Sequence, residues 1–561
     1  MSPAPVTPAP GDEAASFCAT LTDEWARLGV RHAVVAPGSR STPLALALLR
    51  HPGIAVHVFH DERSASFAAL GVGRVSGRPA VLLCTSGTAA AQFHAAVVEA
   101  HLADVPLIVC TADRPPEARD VASPQTIDQV NLYGTSVRWF HDPGVPALVA
   151  APTWRSLAAR SVAASCGARP GPVHLNLPFR EPLLGSPLHV PPARDGAWMH
   201  DAVAPGVDEA ACTGAGGLLT GGRVVVVAGA GSSPTLLDAA RRAGWTVFAD
   251  PSSGLRTGDP SVVCAFDPIL RASSPAATAV LRVGDPPASK VLAQWVDALD
   301  VPVVQVTGSG RFVDPSHRVS IHLHGDVPMI VDRLAAGASP ADEAWSSWWR
   351  SAEAAARRVI GEWTGSHHDE ASVAATVAAA VRPGSHLVLS SSMPIRDMEW
   401  FGGPMPGVTV HANRGANGID GVVSTAVGVA LASAAPTTLL IGDVACLHDT
   451  NGLLGLSARG VDMDIVVVNN DGGAIFSFLP QRAATDDAEF ETLWGTPHGV
   501  SFAALAATHG VEHVEVRNAP ELAGVLGPHG VRLVEVRTDR AGNTAEHDAL
   551  NAAVAAALPP A

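Results

Sequence analysis

The stretch TTLLIGDVACLHDTNGLLGLSARGVDMDIVVVNNDGG, residues 437–473, decides the fold. It reads as a buried strand ending at Gly442-Asp443, a helical crossover, and a second buried strand ending at Asn469-Asn470-Asp471-Gly472-Gly473. Continuous apolar runs separated by a crossover belong to a parallel sheet covered on both faces. A right-handed crossover brings both strand ends to one edge of that sheet, where open α/β folds bind ligands. Asp443 and Asn470, 27 positions apart, can then share one ion. A hard cation such as Mg²⁺ takes oxygen ligands and few carboxylates and completes its octahedron with phosphate oxygens and water. One Asp, one Asn carbonyl and a loop backbone carbonyl suit it. The glycines let the backbone approach phosphates closely, and the N-terminus of the intervening helix favours an anion. Either turn alone also fits a strand-to-helix turn whose polar residues cap a helix; it is the pair that points to an ion.

The same grammar recurs outward from this stretch. Residues 30–50 (VRHAVVAPGSRSTPLALALLR), 54–74 (IAVHVFHDERSASFAALGVGR), 79–100 (PAVLLCTSGTAAAQFHAAVVEA) and 105–115 (VPLIVCTADRP) each join a buried β-run to a polar loop, and the first three run on into an apolar-periodic helix. It restarts at RVVVVAGAGSS, from Arg223, and again at HLVLSSS, from His386. The expected fold class is therefore α/β, with three doubly wound parallel-sheet domains. The expected boundaries are a disordered tail over 1–11, a first domain over 12–190, a linker over 191–221 and a central domain over 222–335. A helical connector over 336–382 and a third domain over 383–561 complete the chain. Gly229-Ala230-Gly231 resembles a fragment of a dinucleotide fingerprint without the full GxGxxG, so a plain strand-to-helix turn is the reading adopted there.

Composition narrows the function classes. A chain of 561 residues is too long for one core, and its 47% apolar and 16% charged content is that of a globular protein. The net charge of −16 argues against a nucleic-acid surface. No apolar run reaches membrane-spanning length, and the Pro- and Ala-rich start lacks a basic n-region, so a cytoplasmic location without membrane insertion is expected. The seven cysteines fall without a CxxC pair, several inside apolar runs, as reduced core residues do. Lys290 is the only lysine; every other cation is Arg or His.

The GD-spacer-NN pair at Asp443 and Asn470 resembles the diphosphate and metal signature of thiamine-diphosphate enzymes. The usual third residue of GDG is Val444 here, a departure shared by the 2-succinyl-5-enolpyruvyl-6-hydroxy-3-cyclohexene-1-carboxylate (SEPHCHC) synthases. APGSRSTP (36–43), TSGTA (85–89), TADRPPE (111–117), SPQTI around Gln125, SSSMPIR (390–396), NRGANGIDG (413–421) and IFSFLP (475–480) are similar to segments of that family. The resemblance implies thiamine diphosphate with Mg²⁺, or Mn²⁺ in its place, held on Asp443, Asn470 and Gly472. It further implies cofactor contacts from Ser391, Ser392, Met393, Ile419, Val444, Ala445, Gly473 and Ile475. Glu62, in HDERSASFAALG, is implied as the carboxylate facing N1′ of the aminopyrimidine, which activates C2. Its bland alternative is an acidic first-turn residue opposing the helix dipole.

The same resemblance implies substrate contacts from Ser39, Arg40, Arg114, Gln125, Lys290, Arg396, Arg414, Phe476 and Leu479. Guanidinium groups bind carboxylates bidentately, which suits two dicarboxylic substrates. Next to Lys290 stands Val291, where some members carry Arg. The implied reaction decarboxylates 2-oxoglutarate and adds the four-carbon unit in 1,4 fashion to isochorismate, giving SEPHCHC and CO₂ in menaquinone biosynthesis. The implied assembly is a homo-oligomer, at least a dimer and possibly a tetramer, with the first domain of one subunit facing the third of another. The competing expectations are a 2-oxo acid decarboxylase, which shares Glu62, Asp443 and Asn470 but needs fewer arginines, and a cofactor-free binding protein of the same fold.

Overall fold

The computed structural model describes residues 10–196, 198–199 and 206–560. Six strands form the first sheet: β1 His32–Val35, β2 Ala55–Val58, β3 Ala80–Cys84, β4 Leu107–Asp113, β5 Trp139–His141 and β6 Pro172–Pro178. The second has β7 Val224–Ala228, β8 Thr246–Ala249, β9 Val262–Val263, β10 Ala279–Val283, β11 Val303–Thr307 and β12 Val319–His324. The third has β13 His386–Leu389, β14 Thr409–Ala412, β15 Thr437–Gly442, β16 Met463–Asn469, β17 Glu512–Val516 and β18 Val531–Arg537. The orders are β2-β1-β3-β4-β6-β5, β12-β11-β10-β7-β8-β9 and β14-β13-β15-β16-β18-β17. Every strand pairing among the described residues is parallel, from β1 with β2 to β17 with β18. The first and third sheets thus share one winding, which reverses between β1 and β3 and between β13 and β15. Such reversal points open a crevice at the carboxyl ends of the strands.

By its internal contacts the chain divides into two compact units. One comprises Met1–Val203, Asn413–Ala434 and Asp449–Leu454; the other Ala204–Ala412, Ala435–His448 and Gly455–Ala561. Two segments of the expected third domain over 383–561, Asn413–Ala434 and Asp449–Leu454, lie in the unit of the first sheet. The reason is a close helix pair inside the first unit, Glu62–Ser76 against Val422–Ser433. A Cβ on Gly71 would come within 2.1 Å of the Thr425 carbonyl, and one on Gly428 within 2.0 Å of the Ala68 carbonyl. Side chains at either position would push the helices apart.

Two further segments differ from the expected boundaries. Residues 1–9 of the expected tail lie outside the described residues, whereas Pro10 and Gly11 open the helix Pro10–Arg27. Residues 209–218 of the expected linker form the helix Glu209–Leu218, capped by Asp208, whose carboxylate accepts from the Ala211 N–H; Cys212 and Ala215 sit in the core under the second sheet. Residues 197 and 200–205 of that linker lie outside the described residues. The connector consists of Glu343–Thr364 and Glu370–Ala380, both inside the second unit, and the first of them buries Trp345 and Trp349 in a core between the second sheet and the helices Met393–Phe401 and Asn543–Ala557.

The Gly229 turn has a packing explanation. Its N–H donates to the Val283 carbonyl at 2.9 Å, and a Cβ there would lie 1.7 Å from the Asp285 carbonyl. All seven cysteines are free thiols, and Cys166 alone of them is not fully buried. No helix among the described residues is long and apolar enough to cross a membrane.

Candidate active site

The carboxyl ends of β13, β15 and β16, three neighbouring strands, carry the expected diphosphate and metal turns. β15 delivers Asp443, which starts the short helix Asp443–His448 and is 2% exposed. Its Oδ1 accepts from the Val444 N–H at 2.7 Å. Its Oδ2 accepts from the N–H groups of Asn470 at 3.2 Å and Gly472 at 3.0 Å, so the ends of β15 and β16 are bonded to each other. His498 Nε2 stands 3.2 Å from the same oxygen. The Val500 N–H donates to His498 Nδ1 at 3.0 Å, which leaves Nε2 to carry the ring proton toward Asp443.

Asn470 donates through Nδ2 to Glu370 Oε1 at 2.7 Å, while its Oδ1 is buried with no hydrogen-bond partner among the described residues. A buried acceptor left without a donor is costly unless something fills the place. An oxygen so placed is of the kind that a hard cation takes as a ligand. Gly472 takes φ +144°, and a Cβ on it would come within 1.9 Å of the Gly495 carbonyl; one on Gly473 would come within 2.2 Å of the Trp494 carbonyl. The loop therefore has the tight, side-chain-free backbone expected of a carbonyl ligand and a phosphate cradle. No group of three or more His, Cys, Asp and Glu side chains is arranged for a metal among the described residues. The set here is of another type: one carboxylate, one amide oxygen and one backbone carbonyl, the oxygen ligation that Mg²⁺ accepts alongside phosphates and water.

At the end of β13, Ser390 Oγ is likewise buried without a partner, and Ser392 adopts φ 76°, unusual for a residue with a side chain. That turn opens the helix Met393–Phe401, whose first N–H groups have no side-chain cap. Arg396 donates to the Ser392 carbonyl at 2.6 Å. The far end of this helix is held by the buried Arg256, which donates to the carbonyls of Met398, Glu399 and Gly402 at 3.0, 2.8 and 2.6 Å. Glu399 accepts from the N–H groups of Ala288 and Ser289 at 2.7 and 2.9 Å, and Ser289 caps the helix Lys290–Ala298. The exposed Lys290 and the Arg396 helix are thereby fixed to one another. Ile475 packs partly buried against the shared core, so its expected cofactor contact competes with a packing role; Phe476 is half-buried and Leu479 exposed.

The first unit gathers a second group at the carboxyl ends of β1, β3 and β4. Ser39 is exposed, whereas Arg40 is 6% exposed and donates to the Phe179 carbonyl at 2.9 Å and to Glu181 at 3.0 Å. Burial, with Arg114 nearby, lowers the Arg40 pKa. Gln125, at φ 56°, donates to the Ser86 carbonyl at 3.0 Å, and Arg114 donates to the Pro124 carbonyl at 3.0 Å. Ser39, Arg40, Arg114 and Gln125 thus share one sheet edge.

Glu62 is half-buried at the first position of the helix Glu62–Ser76. The cap is Asp61, which accepts from the Ser64 N–H at 3.1 Å, so capping does not occupy Glu62. Asp61 also accepts from Asn451 at 2.6 Å, and Ser64 Oγ donates to the buried Asp449 at 3.2 Å. The loop bearing Arg414 is clamped by Glu99, which accepts from the N–H groups of Gly415 and Ala416 at 2.9 and 2.6 Å. Ile419 lies, half-buried, on the same segment.

Known proteins place these two sites in context. Residues 17–132 match the N-terminal TPP binding domain of thiamine pyrophosphate enzymes, and residues 406–528 the C-terminal TPP binding domain. A protein of Thermobifida fusca named 2-succinyl-5-enolpyruvyl-6-hydroxy-3-cyclohexene-1-carboxylate synthase is 42% identical over 96% of this chain and 98% of its own length. Proteins of the same name from Chloroflexus aurantiacus and Halobacterium salinarum are 40% and 39% identical, over 95% and 94% of this chain and 94% and 96% of their own lengths. The chain belongs to the SEPHCHC synthase family.

Within this SEPHCHC synthase fold, the residues that sequence reasoning missed are those that hold the expected ones. Glu370, Arg256, Glu399, Asp449 and His498 carry no motif, and each lies more than 20 positions from the group it fixes. Glu370 is buried beside Asp397 and His547, whose imidazole stands 2.9 Å from Asp397. Burial, with Asp397 adding to it, raises the Glu370 pKa. Burial works against a charged His547, but the Asp397 carboxylate prevails and the pKa rises to about 9.

Proposed function

We propose that the chain decarboxylates 2-oxoglutarate and adds the resulting four-carbon unit in 1,4 fashion to isochorismate, yielding SEPHCHC and CO₂ in menaquinone biosynthesis. It is a thiamine-diphosphate-dependent transferase. The observation that carries this reading is identity near 40% with synthases named for that product along almost the whole chain.

Thiamine diphosphate, when bound, supplies the nucleophilic carbon at which the oxo acid loses CO₂. Asp443, Asn470 and the Gly472 carbonyl hold Mg²⁺, or Mn²⁺ in its place, and the unpartnered Asn470 Oδ1 supports that assignment. Ser391, Ser392, Met393, Val444, Ala445 and Gly473 cradle the diphosphate at the reversal point of the third sheet. Glu62 holds the aminopyrimidine proton at N1′, and Ile419 supports the cofactor's bend. Arg40, Arg114, Arg396 and Arg414, with Lys290, Ser39 and Gln125, bind the carboxylates and hydroxyls of the two substrates. Phe476 and Leu479 shield the reacting carbon from water, with Ile475 behind them. The active assembly is at least a dimer, in which the first domain of one subunit faces the third of another, and it works in the cytoplasm.

The test is incubation with 2-oxoglutarate and isochorismate, with and without thiamine diphosphate and Mg²⁺, followed by product mass. A SEPHCHC mass that requires both additions supports the reading. Efficient turnover of pyruvate with no ligated product would replace it with a 2-oxo acid decarboxylase.

A further inference from the structure

We propose that Glu370 is the positioning residue of the metal site: its carboxylate selects which end of the Asn470 side chain faces the cation. This deepens the metal assignment above and rests on it.

An asparagine amide has two nearly isosteric ends, of which only the oxygen can ligate Mg²⁺. Nothing intrinsic to Asn470 chooses between them. Glu370 Oε1 accepts from Asn470 Nδ2 at 2.7 Å, and an ionised carboxylate only accepts, so the NH₂ end must turn toward it. The opposite end is then Oδ1, the buried oxygen with no partner among the described residues. The backbone of Asn470 is fixed separately, by the N–H bond to Asp443 Oδ2 at 3.2 Å. With the backbone pinned by Asp443 and the amide oriented by Glu370, the oxygen is aimed without any contribution from the cation itself.

Glu370 is suited to this role by its own placement. It is 3% exposed, at the first position of the helix Glu370–Ala380, whose cap is Asp369 accepting from the Ser372 N–H at 2.7 Å. Capping therefore does not occupy Glu370. Its carboxylate also accepts from Thr538 Oγ1 at 3.4 Å, a weak donor to the same Oε1. The pairing crosses 100 positions of sequence, joining the start of a helix before β13 to the end of β16.

The experiment reads thiamine diphosphate affinity by calorimetry at fixed Mg²⁺, and Mn²⁺ affinity from the free-ion electron paramagnetic resonance signal, at pH 8. Glu370→Leu fills the space but accepts nothing, so both affinities should fall at least tenfold. Glu370→Gln keeps an acceptor oxygen and should lose less than Glu370→Leu. Asn470→Asp sets two carboxylates against each other and should also fall at least tenfold. In Asn470→Asp with Glu370→Gln the Gln NH₂ can donate to one Asp oxygen while the other faces the cation, so affinity should return to within about threefold of wild type. Such reciprocal rescue is not expected of a residue that merely supports the fold. Melting curves identify any variant that fails to fold; for Asn470→Asp the leucine series then decides. Wild-type affinity in folded Glu370→Leu, or no rescue in the folded double variant, overturns the proposal. Asn470→Ala separates the two layers: if it binds Mn²⁺ and cofactor like wild type, it is the metal assignment that fails.

Discussion

Asp443→Ala tests the metal turn most severely, because this carboxylate has one proposed task and one observed task. It is the one carboxylate proposed for the cation, and it accepts from the N–H groups of Asn470 and Gly472 and faces His498 Nε2. Alanine leaves those donors without their acceptor. Each buried donor left unpaired costs about 1–3 kcal/mol, so the two N–H groups alone amount to about 2–6 kcal/mol. That penalty falls on the end of β16, whereas β15 and β16 remain bonded from Thr437↔Met463 to Gly442↔Val468. The expected result is a folded protein with a loosened 469–473 turn.

At 1.4 kcal/mol per tenfold, the lower end of that range already weakens cofactor binding by roughly 30-fold, before any loss of the metal ligand is counted. Calorimetric titration of thiamine diphosphate at fixed Mg²⁺ measures the affinity. Hydrogen exchange locates the damage: the amides of Asn470 and Gly472 should lose protection while those of Ile441 and Val467 keep it. Asp443→Asn, which retains one acceptor oxygen but turns an NH₂ toward existing donors, should fall between wild type and alanine in protection. Wild-type affinity together with unchanged protection at Gly472 would refute both tasks at once.

Glu62→Gln should slow C2–H/D exchange of bound thiamine diphosphate by about 10²–10⁴ with little change in cofactor affinity; unchanged exchange would return Glu62 to a helix-dipole role. Arg396→Ala and Arg414→Ala should each lower kcat/KM for 2-oxoglutarate plus isochorismate at least about tenfold, the scale of a charge-assisted hydrogen bond, with Lys restoring only part. Steady-state kinetics in which both variants match wild type would remove them from the substrate site. Gly428→Val should cost about 1–3 kcal/mol by forcing its side chain onto the Ala68 carbonyl, and an unchanged melting temperature would contradict the helix interlock. Asp449 is held up to about 6, chiefly by burial, with the Ser424 hydrogen bonds opposing. The folded state therefore holds a proton there that the unfolded state has released, and stability falls as pH rises between about 4 and 6. Asp449→Asn should remove up to about 1.4 kcal/mol per pH unit of that slope, and denaturation curves that stay parallel to wild type from pH 4 to 6 would exclude it.

The strands were legible because burial on both faces leaves an unmistakable sequence mark. VVVV in β7 and IVVV in β16 admit no polar position, so these central strands and their parallel direction could be read directly, whereas β5, β9 and β17 are too short or too exposed to carry such a run. The helix interlock was not legible. Gly71 and Gly428 are ordinary small residues in apolar helices, and only the 2.1 and 2.0 Å approaches reveal that they let two segments 357 positions apart fold as one unit. The helix Glu209–Leu218 was hidden for a related reason: its glycines and alanines look like linker composition, and only Cys212 and Ala215 are buried in a core.

The candidate site divides along the same physical line. Residues that would meet ligand directly sit at strand ends, where turn chemistry is written locally: Gly442-Asp443, Asn469-Asn470 and Asp61-Glu62 each declare a strand-to-helix junction within a few positions. Residues that orient them act through hydrogen bonds to distant parts of the chain, and one carboxylate at the start of a helix looks like any other. Asp61, Asp369 and Asp208 are true caps, whereas Glu62 and Glu370 stand one place further on and leave the helix amides to their neighbours. A carboxylate beside a filled cap is free to serve something other than its own helix. In Glu62 the expected partner is the cofactor; in Glu370 it is the amide of Asn470, and through that amide the cation.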